Sequence, residues 1–94
     1  MKVIWFRMAI NDLIALKANL SQGSPQAAQK TVYKIKQAIS LLSDQPGMGR
    51  PGRVPYTKEL VIQQTSYIVP YRVRDNKIEI LRVLHTSRKW PKSF

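Results

Sequence analysis

One segment limits the possible folds more than any other. In SPQAAQKTVYKIKQAISLL, residues 24 to 42, Ala28, Val32, Ile35, Ile39 and Leu42 recur at alternating steps of four and three. That spacing lays an apolar stripe along one side of an α-helix, and such a stripe has to be covered by another element. Ser24 followed by Pro25 supplies an N-cap and a first-turn proline, and Pro46 with Gly47 ends the helix. Upstream, Met8 to Leu20 places Leu13, Leu16 and Leu20 on a second stripe with Ile10 and Ile14 beside it, and SQGSP stops that helix.

What covers these stripes is read from the remaining apolar runs. KVIWF (2–6), KELVIQ (58–63), YIVPYRV (67–73) and KIEILRVLH (77–85) are short and rich in β-branched residues, as strands are. Residues 74–76, RDN, suit a tight hairpin turn. Pro70 inside its run requires a sheet edge or a bulge. Alternation along the last strand puts Arg82 with Ile78 and Ile80, and His85 with Leu81 and Val83. Tyr67, Val69, Tyr71 and Val73 point inward. The expected fold is α+β over a single domain, residues 1–94: an N-terminal strand, a helical hairpin, then a three-stranded antiparallel meander. The helices pack on one face of the sheet, and the other face is left free for function. At its rim lies PGMGRPGRVP (46–55), in which the prolines fix backbone angles and the glycines permit unusual ones. It reads as a rigid connector or as a shaped edge of a binding face.

Charge narrows the function. Sixteen Lys and Arg against five Asp and Glu give a net +11, which fits a polyanionic or acidic partner. Six of the seven arginines follow residue 49, so the working surface belongs to the C-terminal half. The chain has no cysteine, which excludes disulfides and thiolate metal sites. No apolar run reaches the roughly 18 residues of a membrane helix, and no secretory signal opens the chain. A cytoplasmic protein without membrane contact is expected. No phosphate-loop or dinucleotide pattern occurs, and neither a cofactor nor a metal is expected.

Several fragments, in order and at the right spacing, resemble the RelE/ParE superfamily of bacterial type II toxins. They are the opening VIW strand followed by a helix carrying Asp12-Leu13, the loop GMGRPGR (47–53), then YIVPYRV, EILRVLH (79–85) and RKWP (88–91). The resemblance implies a toxin that arrests bacterial growth, of the kind that stabilises plasmids, neutralised in a hetero-oligomer by an acidic or partly disordered antitoxin. It leaves two targets open. ParE-like members inhibit DNA gyrase without known nuclease chemistry, whereas RelE-like members are ribosome-dependent mRNA endoribonucleases that need no metal.

An RNA-cutting site needs a proton acceptor and cations around the phosphorane. His85 is the single histidine, and with Arg82 it forms the catalytic pair if the chain is a ribonuclease. Arg50, Arg53, Arg72, Arg74, Arg88, Lys89 and Trp90 are the candidates for binding the target or nucleic acid. Salt pairing is the alternative reading for each arginine, and Glu59 and Glu79 are read as local partners. Tyr56 and Trp90 are candidates for stacking, with folding back over the sheet as the alternative for Trp90. One departure weighs against cleavage. Ribonuclease members carry an arginine three residues before the tyrosine of the penultimate strand, where this chain has Ile68. The expected target is therefore gyrase, with the ribonuclease as the alternative.

Overall fold

The computed structural model describes residues 1–94. The chain runs β1 (Lys2–Trp5), α1 (Arg7–Gly23), α2 (Pro25–Leu41), β2 (Arg50–Pro51), β3 (Lys58–Val61), β4 (Tyr67–Arg74), β5 (Lys77–Ile80) and β6 (Leu84–His85). Neighbouring strands in the sheet run β1-β5-β4-β3-β2, and β6 continues on β4 beyond β5. All pairings are antiparallel except β1 with β5, which is parallel. The expected architecture of two helices against one sheet holds, with two additions. A two-residue strand, β2, lies inside the proline-glycine loop, and the last strand is broken in two.

The helix stripe works as its period requires. Ile35, Ile39 and Leu42 join Leu16 of α1 against Leu60, Val69, Tyr71, Ile78 and Ile80 of the sheet. Fully burying one such side chain stabilises by about 1.5–3 kcal/mol. Ser24 caps α2, its Oγ accepting from the Ala27 amide at 3.2 Å. α1 continues to Gly23, three residues past Leu20, and the Ser24 amide closes it on Leu20 O. α2 stops at Leu41 rather than at Pro46. Residues 42, 43 and 44 each bond three residues back, the tighter turn that commonly finishes a helix. Ser43 Oγ there donates to Met1 O at 2.7 Å, tying the helix end to the start of the chain.

Asp75 and Asn76 both have positive φ, 53° and 60°, as a two-residue primed turn demands. Residues 67, 69 and 71 point to the helices as expected. Val73, beyond the reach of the helices, stays exposed.

The break between β5 and β6 is a bulge. Tyr71 faces Ile80, but Ile68 faces Leu84, so β4 spends two intervening residues where the partner spends three. This resolves Pro70, which is buried within the long strand β4 and not at an edge. A residue's amide and carbonyl point to the same neighbour, and Pro70 O accepts from Leu81 N. The missing N–H therefore falls against the bulge, where the ladder is already interrupted. The bulge also corrects the alternation expected for 77–85. Val83 returns to the helix side with Ile80, and the strand after it is out of phase with the strand before.

Candidate functional site

The sheet face opposite the helices is only partly free. Ile68, Pro70, Leu81 and Leu84 are buried yet lie outside the core under the helices. The C-terminal segment turns back after Thr86, whose amide donates to Ser66 O, and brings the Trp90 ring to 3.8 Å from the Arg53 guanidinium. Stacked there, Trp90 folds back on the molecule and leaves its indole N–H buried without a partner. Arg88 and Lys89 remain exposed on the same tail.

Two carboxylates organise the arginines of this face. Glu59, 2% exposed, accepts from Arg50 Nε and Nη2, from Arg53 Nε and Nη2 and from the Arg53 amide, at 2.8–3.2 Å. Burial pushes its carboxyl up, but the hydrogen bonds from Arg53 and Arg50 and the Arg53 charge prevail and hold it below the ordinary glutamate value. The Arg50 and Arg53 side chains keep about half their surface, 52% and 47%. At the other end Glu79 accepts from Arg72 Nε at 2.6 Å and Arg74 Nη2 at 3.3 Å. Burial again raises this carboxyl and the two arginines lower it further than burial lifts it. Arg72 also lies 5.7 Å above the Phe6 ring. Glu59 and Glu79 are thus the local charge partners that the sequence suggested.

The loop between the helices and β3 is built, not tethered. Tyr71 Oη accepts from the Gly49 amide at 2.8 Å and donates to Pro46 O at 2.9 Å. A Cβ on Gly49 would stand 2.6 Å from the Tyr71 ring and 2.9 Å from Glu59 O, so only glycine lets the chain pass so close. Replacing Tyr71 with phenylalanine should cost about 1–3 kcal/mol, since the Gly49 amide loses its acceptor. A urea midpoint unchanged from wild type would show the anchor to be immaterial. Beyond β2, residues 54–57 form an uncharged tip on which Tyr56 is 98% exposed with φ 65°.

The proposed catalytic pair does not assemble with the other cations. Arg82 points to the helix side, where Asp12 of α1 grips it, Nε to Oδ2 at 2.7 Å and Nη2 to Oδ1 at 3.0 Å. The hydrogen bonds to Asp12 raise the Arg82 pKa, against the opposing effect of burial. Arg72 and Arg74 lie on the opposite face of the sheet from Arg82. His85 lies on the helix side at the sheet margin, its ring edge-on to Tyr67 with centroids 5.3 Å apart. Its Nδ1 lies 2.7 Å from Ser87 Oγ and 3.1 Å from the Ser87 amide. Asp12 is the residue that sequence reasoning missed. Its only signal was as part of the family-like Asp-Leu pair. No group of three or more His, Asp or Glu side chains is placed to hold a metal ion. No helix is long and apolar enough to cross a membrane.

The structure is thus a helical hairpin on a mixed sheet with arginines on the far face, and comparison with known proteins places it in a family. Residues 3–90 match the family model of the ParE toxin of type II toxin–antitoxin systems. Y4kP of Sinorhizobium fredii, named as a toxin, is 37% identical over 90 residues, covering 96% of this chain and 93% of that one. Toxin RelE2 of Caulobacter vibrioides is 33% identical over 87 residues, 93% of this chain and 97% of its own. A chain from the chromosomal ParDE toxin–antitoxin system of P. aeruginosa superposes with a TM-score of 0.81 at 31% identity, over 90% of this chain and 95% of that one. The chain belongs to the ParE toxin family of type II toxin–antitoxin systems, within the RelE/ParE superfamily.

Proposed function

We propose that this toxin arrests growth by binding DNA gyrase, without enzymatic chemistry of its own, and that a cognate antitoxin neutralises it. The observation that carries the first part is the engagement of Arg82 by Asp12 on the helix side. The fork that a cleaving site would aim at phosphate is occupied by a carboxylate. Ile68, 5% exposed, stands where the ribonuclease resemblance requires an arginine. Without such cations a phosphorane would lack most of its stabilisation. The ParDE structural neighbour supports the same direction.

The ribonuclease reading rests on His85, which is exposed and carries its Nδ1 against Ser87. A general base contributes about 10²–10⁴-fold to a rate. On the gyrase reading, His85→Ala should arrest growth as wild type does. Loss of arrest by a folded His85→Ala protein would revive the ribonuclease. Pulse labelling of DNA and protein synthesis just after induction tests the target directly, and DNA synthesis should fall first. An early fall in protein synthesis alone would sink the gyrase reading.

For the antitoxin, support comes from a groove of about 750 Å³ between α2 and the outer side of β3. Lys30, Lys34 and Arg50 border it, and Tyr33, Leu41 and Met48 offer apolar surface. β2 covers β3 only at Lys58 and Glu59, so the strand beyond is an open edge to which an acidic, extended segment can add.

A further inference from the structure

Four non-glycine residues have positive φ, and three of them (Gln64, Asp75 and Asn76) are polar. The fourth is Tyr56, at φ 65° and 98% exposed. A left-handed backbone is costly for a bulky residue, and the Tyr56 ring gains almost no intramolecular contact in return. The conformation persists because the base of the tip fixes it. Gly52 N donates to Thr57 O at 2.8 Å, Thr57 Oγ1 to Val54 O at 2.7 Å, and Val54 itself is buried. A ring held out on a rigid base loses little freedom on binding, which is what makes tyrosine an effective interface anchor.

The surroundings indicate what kind of partner fits. Residues 54–57 carry no charge, the nearest loop arginines, Arg50 and Arg53, are directed at Glu59, and Lys58 is the one cation beside the tip outside these ion pairs. A phosphate backbone would find few free cations at the tip, whereas an apolar pocket would accept it. A disordered antitoxin segment offers no preformed pocket, but a folded protein does. We propose that Tyr56 is the anchor by which this toxin engages its folded protein target, the ring entering a pocket on that target. The inference rests on the reading above only in taking the target to be a protein.

The test compares wild type with Tyr56→Gly, Tyr56→Asn and Tyr56→Phe, by thermal unfolding, gyrase supercoiling inhibition and growth arrest. Glycine and asparagine tolerate the left-handed backbone, so both variants should fold, and Tyr56→Gly should melt roughly 2–6 °C higher as strain is relieved. Both should inhibit at least about 30-fold less well than wild type, the scale of a hot-spot residue. Tyr56→Phe should keep most of the potency. Glycine and asparagine variants as potent as wild type would overturn the anchor, as would a phenylalanine variant as weak as glycine. If wild type arrests growth but leaves gyrase untouched, the gyrase reading fails and the same variants judge the anchor by growth arrest. A wild-type chain that arrests nothing overturns both.

Discussion

Asp12→Ala should lower the unfolding free energy by about 3–5 kcal/mol, a large share of a domain's usual 5–15. Asp12 holds Arg82, and its Oδ2 also accepts from the Val83 amide at 3.0 Å. Removing it strands the guanidinium of a side chain that is 11% exposed and an amide that has no ladder partner at the bulge. Urea titration of the purified protein measures the loss, and a change below about 1 kcal/mol would mean that Arg82 finds water or another acceptor. The double variant Asp12→Leu/Arg82→Met separates charge from architecture. Apolar replacement of a buried ion pair is often neutral, so the share of the loss due to the ion pair should be recovered. A deficit of about 1–3 kcal/mol should remain for the Val83 amide.

Glu59→Ala should be the next most damaging change, costing about 2–4 kcal/mol. Five hydrogen bonds converge on this buried carboxylate. The cost falls short of that at Asp12 because both arginines can turn to solvent. The same carboxyl predicts a pH dependence. Its folded-state pKa is depressed, so its stabilisation is fully present above the unfolded value, about 4.3. That stabilisation is lost as pH falls from there through the lower folded value. Glu79 titrates in the same sense. Wild type should lose stability below about pH 4.3, and Glu59→Ala should show a shallower decline. Parallel pH profiles for the two proteins would show that Glu59 is not the group responsible.

Local devices were legible in the sequence and long-range ones were not. The α2 period, the Ser24 cap and the Asp75-Asn76 turn are each written within a few residues, and each formed where expected. Pro70 announced a bulge or an edge, but which one depended on where a strand ten residues later lost its register. The same slip decides which face Val83 shares, so perfect alternation misassigned it. For the arginines, two local carboxylate partners were legible, but not which arginine each would hold. Arg50 and Arg53 meet Glu59 only because β2 pairs with β3, and Arg82 meets Asp12 across 70 positions. Glu59 and Glu79 were legible as local charge partners, but Asp12 was not, and together the three hold the folded arginines in place.

The parallel seat of β1 beside β5 has a kinetic consequence. Lys2–Trp5 leave the ribosome well ahead of Lys77–Ile80, in which alone they find their partners. At about 5–20 residues per second, those 75 positions take roughly 4–15 s to translate. Until then the sheet lacks one edge and the helices lack the strand they bridge from. Pairing at such sequence separation is also slow in itself. The nascent toxin is therefore unable to complete its fold while most of it is being made. The cell has a window of seconds, before a finished toxin exists, in which a waiting antitoxin meets a chain still short of its closing strand.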